Sequence, residues 1–426
     1  MEFRSAILVH FLLISLALNV GTLFRNYCNP NLFFPKSSNK NHSFSIQTCN
    51  ASTSLSSSSN VFDRILHLDY GDPTMFEKYW QNVADKTTLT IPGSQSMSYF
   101  SDSRDFYWFL EPEFEKSVIR LHKLVGNAIT DNRYLVVGTG STQLFQAALY
   151  AIASPESLTP VDVVAAAPFY SGYPATADFV KSGLHKWAGD ATSYTNDQTK
   201  YIEVITSPNN PDGFLREAVV KPKNCRRTLV HDLAYYWPQY TPITSPADHD
   251  IMLFTVSKCT GHAGTRIGWA IVKDRTIASK MVEFVTISTI GVSKESQLRA
   301  KLILDAVASS HEQVSAAPPF FEHSYELMAA RWKQLRDVIQ NSKLFKLPDY
   351  LPQKCKFSGH TFAPQPAFAW LKCEGEIDDC KAFLESHKIL TRGGNNFGVS
   401  NKYTRMGMIS RDQEFCLLRE RLYQIG

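Results

Sequence analysis

The sequence predicts an α/β protein: a mostly parallel sheet covered by helices on both faces, with a smaller α+β unit after it. Two observations carry this expectation. Short apolar runs of strand length, at 134–137, 161–167, 201–206, 228–231 and 250–254, alternate with helical stretches. Each run also leads into a residue with chemistry to offer: Thr142, Tyr170, Asn210, Asp232 and Lys258 in turn. Ligands of such sheets sit beyond the carboxyl ends of the strands. Chance could put one or two such residues there, but five make a constellation.

At 426 residues the chain is long enough for two domains. Its 44 basic and 40 acidic residues nearly balance, so nothing points to a nucleic-acid partner. Apolar residues make up 44% and aromatic ones 12%, which suits a large core. The eight cysteines stand at 28, 49, 225, 259, 355, 373, 380 and 416, with no CxxC pair and no zinc spacing. No metal site is expected. The six cysteines of the globular part are expected to be reduced thiols in a reducing compartment.

The amino-terminal end departs from that picture. Residues 6–24 are almost wholly apolar, broken only by His10, Ser15, Asn19 and Thr22. The segment suits one bilayer span and exceeds most signal-peptide cores. A retained anchor, with the protein in the endoplasmic reticulum membrane, is expected; the secretory route applies if the segment is cleaved. Arg4 and Arg25 flank it and leave the orientation open. Residues 25–60 read as a polar linker, since a run such as ASTSLSSSSN at 51–60 cannot support a core. Asn41 and Asn50 head glycosylation sequons, and Cys28 and Cys49 could pair; both matter only if this segment faces a lumen.

The globular part begins with an arm, 61–110, whose loop at 91–102 carries Tyr99. A large domain is expected over 111–292 and a small one over 293–426. Residues 111–125 hold a helical apolar stripe. After the strand 134–137 comes Gly138-Thr-Gly-Ser-Thr-Gln143 and then an apolar helix. A strand, a Gly-rich turn and a helix start offer free N–H groups to an anion. Ser141 and Thr142 would add hydroxyls, although a helix cap explains the same residues equally well.

The stretch Thr255-Val-Ser257-Lys258-Cys-Thr-Gly-His-Ala-Gly-Thr-Arg266 anchors the reading. The run 250–254 delivers Ser257 and Lys258 to a loop that Gly261 and Gly264 turn back, so lysine and arginine converge on one pocket. A lysine near other cations and partly desolvated loses proton affinity and becomes a usable nucleophile. Its natural partner is an aldehyde cofactor bearing a phosphate: pyridoxal 5'-phosphate. That cofactor's ring nitrogen needs a carboxylate, and Asp232 fits. Asn210 and Tyr235 can donate to its phenolic oxygen, and Tyr170 can stack on its ring. Ser141, Thr142, Ser257 and Arg266 can hold the phosphate.

Together these residues resemble the plant tryptophan aminotransferase and alliinase family, over about 66–422. The matching motifs include Asp69-Tyr-Gly-Asp-Pro-Thr74, Val137-Gly-Thr-Gly-Ser-Thr-Gln143, Ser207-Pro-Asn-Asn-Pro-Asp-Gly213, His231-Asp-Leu-Ala-Tyr-Tyr-Trp237 and the Lys258 stretch. The resemblance implies pyridoxal-phosphate transferase fold type I, with a seven-stranded sheet in the large domain. It implies that Lys258 holds the cofactor covalently, that Asp232 and Tyr235 assist it, and that Thr255 lies in the cofactor site. It further implies a homodimer in which Tyr99 reaches the phosphate of the neighbouring subunit.

Within the family the chain is similar to the membrane-anchored tryptophan aminotransferases that make indole-3-pyruvate for auxin synthesis. Alliinases usually carry a cysteine-rich module ahead of the catalytic domain, whereas only Cys28 and Cys49 precede it here. The activity implied is transfer of an amino group from tryptophan, or another aromatic amino acid, to a keto acid such as pyruvate. A C–S lyase and a membrane-tethered binding protein without catalysis are the alternatives. In the last third, 322–340 reads as a long charged helix with a solvated face, and 366–371, 388–392 and 403–408 as strands. Arg405 matches the arginine that grips the substrate carboxylate in this fold, with Arg392 the competing candidate.

Overall fold

A computed structural model describes residues 64–101, 106–153, 159–179, 181–196, 199–221, 227–312 and 317–426. The apolar segment 6–24, the two sequons, and Cys28, Cys49 and Cys225 lie outside the described residues. Among those described, no helix is long and apolar enough to cross a membrane.

A short strand β1 (Leu66–His67) opens the arm. The central sheet then takes β2 (Tyr134–Gly138), β3 (Val161–Ala165), β4 (His185–Asp190), β5 (Tyr201–Thr206), β6 (Arg227–Asp232), β7 (Ile251–Thr255) and β8 (Gly268–Val272), in the order β2-β8-β7-β6-β5-β3-β4. The fold class is the expected one: a seven-stranded, mostly parallel sheet flanked by helices. β3, β5 and β7 are buried at every position, because helices cover both faces and leave no polar side to alternate with. Two strands went unread in the sequence. β4 (HKWAGD) is a half-exposed edge strand without an apolar run, and β8 (GWAIV) follows too closely on the lysine stretch to be read apart from it.

β8 matters most for the site because it runs against both neighbours. Its first residue, Gly268, pairs with the last residues of β2 and β7, Gly138 and Thr255. An antiparallel strand begins at the edge where its neighbours end. Arg266, two residues before β8, therefore joins the carboxyl ends of the other strands.

Strands β9 (Phe345–Lys346), β10 (Gln353–Lys354), β11 (Thr361–Phe362), β12 (Phe368–Cys373), β13 (Ile389–Leu390), β14 (Arg392–Gly393) and β15 (Tyr403–Gly407) follow. Four of them form a second sheet, β14-β15-β12-β9. The arm is stitched to this region: β1 pairs in parallel with β13, and the Gly407 N–H donates to the Leu68 carbonyl at 2.8 Å.

Two expectations need correction. The helix Phe320–Gln340 is not mainly a solvated one. Phe320, Leu327, Met328, Trp332 and Leu335 form a buried stripe, and Arg331 is buried with them. Arg331 survives there because it donates to the carbonyls of Met408 and Ser410 and pairs with Asp412 at 2.9 Å. Its charged neighbours hide a helical period that the apolar residues keep.

The cysteines of the body are not all reduced. Cys373 and Cys380 form a disulfide that joins the end of β12 to the start of the helix Cys380–Ser386, and Cys416 is disulfide-bonded as well. Cys259 and Cys355 are free and buried. Spacing missed the pair because the chain turns back between 373 and 380. Disulfides persist in oxidising compartments, so the reducing one inferred from composition loses its basis.

Candidate active site

The site is built from Lys258 outwards. Thr255 ends β7 in an extended conformation and caps a single helical turn, Val256–Cys259, its hydroxyl accepting from the Ser257 N–H at 3.1 Å. The same hydroxyl is held by the Ile267 carbonyl at 2.9 Å. Lys258 thus stands in a capped turn rather than in the Gly-rich loop expected, and the glycines come after it. Its amine is buried and donates to the Gly71 carbonyl at 2.6 Å. Burial, together with the positive charge of Arg405, brings its pKa down to about 8, against the opposing pull of Asp72.

One end of the cavity is an anion cradle. The helix Ser141–Ile152 starts from Gly140 with no side-chain cap, so its first N–H groups have no partner from a capping side chain. Gly140 has φ +88°, and a Cβ there would come 2.6 Å from Nη2 of Arg266. A Cβ on Gly268 would meet the Ser141 nitrogen at 2.8 Å. The missing side chains let the guanidinium lie directly against the helix start. Among the described residues Arg266 forms no ion pair with a carboxylate, donating instead to the Ala263 carbonyl at 2.8 Å. Ser141, Thr142 and Ser257 line the same space.

Deeper in the cavity, Asp232 ends β6. Its Oδ2 accepts from the Tyr173 hydroxyl at 2.8 Å and its Oδ1 from the Ala234 N–H at 3.1 Å. Burial raises its carboxyl pKa, and those two hydrogen bonds oppose the rise. Among the described residues no lysine or arginine pairs with it, so a buried carboxylate faces the cavity without a cation. The loop beyond it is braced from the core. Asn127 donates to the Tyr236 carbonyl at 2.7 Å and contacts His122 Nδ1 at 2.8 Å, while His122 Nε2 accepts from the Trp269 indole at 2.9 Å. Tyr235, next to Tyr236, is buried and meets Phe368 edge-on at 5.8 Å. Tyr170 meets Tyr173 in the same manner at 5.2 Å.

The far end belongs to Arg405, on β15. Its Nη1 donates to Asn210 Oδ1 at 3.0 Å and its Nη2 to the Asp69 carbonyl at 2.5 Å. That bond leaves the Asn210 amide N–H groups free to donate elsewhere. Phe368 covers the guanidinium at 4.1 Å and Phe397 at 5.3 Å. Arg392, on β14, lines the cavity too.

One cavity of about 280 Å³ therefore brings together Ser141, Thr142, Tyr170, Asn210, Asp232, Tyr235, Thr255, Ser257, Lys258, Arg266, Arg392 and Arg405. Tyr99 is not among them: it stands on the surface, 69% exposed. Thr255 lines the wall, but its hydroxyl is engaged in holding the lysine turn. The sequence reading missed Tyr173, Gly71 and Phe368. Tyr173 follows Tyr170 by three residues on the next helix, a spacing that could have suggested it. Nothing in the sequence alone signals the other two, which reach the site through the arm and the second sheet.

These features fit pyridoxal phosphate. They comprise an amine of lowered proton affinity, an unpaired buried carboxylate where a protonated ring nitrogen would sit, and a helix start with an unpaired guanidinium for the phosphate. The chain is similar to known proteins throughout its described body. Residues 66–426 match the family described as Allinase. The chain is 54% identical over 383 residues to tryptophan aminotransferase-related protein 2 of Arabidopsis thaliana, covering 88% of this chain and 86% of that one. It is 35% identical to an alliin lyase of Allium cepa var. aggregatum, covering 81% and 75% of the two chains. An aminotransferase structure from Staphylococcus aureus shares the fold at a TM-score of 0.61 and 20% identity, covering 86% of this chain and 96% of that one. From its Lys258 turn to its phosphate cradle, then, this chain belongs to the alliinase and tryptophan aminotransferase-related family, whose members depend on pyridoxal phosphate.

Proposed function

We propose that the protein is an aminotransferase that moves the amino group of tryptophan, or another aromatic amino acid, to a keto acid such as pyruvate. One observation carries the reading: Lys258, Asp232 and Arg405 share one cavity whose walls include Tyr70, Tyr170, Tyr235 and Phe368. Aromatic walls suit an aromatic side chain. The higher identity to a tryptophan aminotransferase-related protein than to an alliin lyase supports the same choice.

Bound pyridoxal phosphate supplies an electron sink for the charge left when a Cα proton departs. The chain's own residues do the rest. Arg266, the helix start at Ser141, Thr142 and Ser257 would fix the phosphate. Asp232, which Tyr173 holds in place, would keep a proton on the ring nitrogen. Asn210 and Tyr235 would donate towards the phenolic oxygen. Arg405 holds the substrate carboxylate so that the Cα–H faces Lys258. Lys258 would anchor the cofactor through its amine and, once the substrate's amino group has displaced it from that bond, its freed amine would take the proton from Cα as a base.

Indole-3-pyruvate, the product from tryptophan, would feed auxin synthesis. We further infer a homodimer. Met97, Tyr99 and Phe100 stand exposed on a loop that Lys294 holds by the Phe100 carbonyl, and Ile287 and Ile290 are exposed just ahead of Lys294. Tyr99 would then complete the neighbour's phosphate site. Segment 6–24 would tether the protein to the endoplasmic reticulum membrane, and the Cys373–Cys380 disulfide accords with an oxidising lumen around the body.

The test is turnover by purified protein. Tryptophan should give indole-3-pyruvate only when a keto acid is present, in ping-pong fashion. Pyruvate released from a cysteine sulfoxide without any acceptor would replace this reading with the lyase.

A further inference from the structure

Arg392 and Arg405 are directly opposed across the antiparallel pair β14–β15, which puts both side chains on one face of the sheet. Both line the cavity. Like charges at opposed positions destabilise a sheet. Among the described residues neither guanidinium has a carboxylate ion-pair partner, although surface ion pairs abound elsewhere in the chain. The register is nonetheless firmly held: the Thr404 hydroxyl bonds to Thr391 Oγ1 at 2.7 Å and to the Arg392 carbonyl at 3.1 Å.

A second observation comes from Arg405 itself. Its Nε is buried and has no hydrogen-bond partner, although Nη1 and Nη2 are both engaged by the protein. A buried, unmade charged hydrogen bond is costly, and so is an uncompensated pair of cations. One anion seated between the two guanidiniums would compensate both charges and offer Arg405 an acceptor.

We propose that Arg392 is a second binding residue for the substrate α-carboxylate, gripping it jointly with Arg405 instead of serving a separate acid group. Phe368 and Phe397 hold Arg405 in a fixed plane, while Arg392, less buried and with no side-chain partner among the described residues, can close on the same carboxylate from the open side. The two arginines that compete as candidates in the sequence thus act together. This rests on the amino-acid and keto-acid reading of the site, but its test does not require turnover.

Calorimetric titration of the pyridoxal-phosphate-loaded protein with indole-3-propionate and with its primary amide measures the grip directly. Arg392→Gln should weaken binding of the acid about ten-fold and leave the amide unchanged, the size expected for one charge-assisted hydrogen bond. Arg392→Lys should recover part of the loss, and unchanged cofactor absorbance in both variants marks an intact fold. A second series compares butyrate with glutarate. Equal loss for both supports a shared α-carboxylate, whereas loss confined to glutarate makes Arg392 a site for a second acid and overturns the proposal. Unchanged acid binding in Arg392→Gln, or no binding of the acid by the unaltered protein, overturns it too. A protein that proves to be a lyase but shows the acid-specific loss would sink the proposed reaction and leave this inference standing.

Discussion

The two ends of the cavity are built in different ways. The phosphate end uses short stretches of chain: a strand, two glycines and a helix start on one side, and a lysine turn with Arg266 eight residues on. Its parts are brought together by neighbouring strands of one sheet, β2, β8 and β7. The carboxylate end draws on the arm through Asp69, on the central sheet through Asn210, and on the second sheet through Arg405, Arg392 and Phe368. The Arg405–Asp69 contact spans 336 residues of sequence. The first end is fixed by local backbone geometry and the second by how separate elements meet. The phosphate end should therefore tolerate changes in distant packing, and the carboxylate end should not.

Lys258 lies between the two, and removing it should have the largest effect. Lys258→Ala should abolish borohydride-trappable attachment of pyridoxal phosphate, together with its yellow absorbance, while phosphate-end contacts still hold some cofactor non-covalently. Dialysis followed by mass spectrometry separates the two kinds of binding. The amine is free to react only when unprotonated, and its pKa lies near 8 instead of the ordinary 10.5. Attachment to the unaltered, cofactor-free protein should accelerate as pH rises through about 8 and then level off. A midpoint near 10 would mean that burial and Arg405 do not act on this amine as described.

Arg405→Lys tests the carboxylate end at its centre. Lysine keeps the charge but loses the planar fork, the contacts to Asn210 and Asp69, and the stacking on Phe368. A charge-assisted hydrogen bond contributes about 1.5–3 kcal/mol, so kcat/KM should fall about a hundred-fold. The fall should be similar for donor and acceptor, because both present an α-carboxylate to one site. Cofactor affinity should barely change. If it drops as steeply as kcat/KM, the two ends are not separate and the comparison fails.

How much could be read from the sequence follows the same division. The phosphate end was legible because each part is a local pattern: glycine where the backbone must turn, hydroxyls at a helix start, lysine and arginine a few residues apart. Asp232 was legible as the end of an apolar run. Tyr173, Gly71 and Phe368 were not. Phe368 lies in an apolar strand where an aromatic residue usually means core, and only the pairing of β12 with β15 brings it over Arg405. Gly71 serves through its carbonyl and its lack of a side chain, neither of which leaves a mark in an isolated sequence. The Cys373–Cys380 disulfide was hidden for a like reason, since pairing depends on where the chain turns.

At the phosphate end, Gly140→Ala should lower cofactor affinity about ten-fold. The position has φ +88° and ψ 166°, a region that costs a residue with a side chain about 1–3 kcal/mol, and the new methyl would push Arg266 off the helix start. Substrate KM measured at saturating cofactor should stay the same. A KM rise equal to the affinity loss would show that the cradle also positions the carboxylate end.

The smallest expected effect sharpens the comparison most. Phe368→Leu leaves every hydrogen bond of Arg405 in place and keeps an apolar side chain of similar volume on β12. What it removes is the aromatic face 4.1 Å from the guanidinium and the edge contact with Tyr235. A cation–π contact contributes from roughly 0.5 to 2 kcal/mol. Leucine keeps the apolar cover over the guanidinium, so the loss should lie at the lower end, about 0.5–1 kcal/mol, and kcat/KM should fall about two-fold to five-fold, chiefly through KM. Cofactor affinity should be unmoved, as for Arg405→Lys. Combining the two substitutions gives the decisive number. If Phe368 acts through Arg405, the double variant should lose little more than Arg405→Lys alone, because the stacking partner is already gone. Fully multiplied losses would assign Phe368 to direct contact with the substrate's aromatic side chain, and the carboxylate end would then be a specificity pocket as well as an anchor.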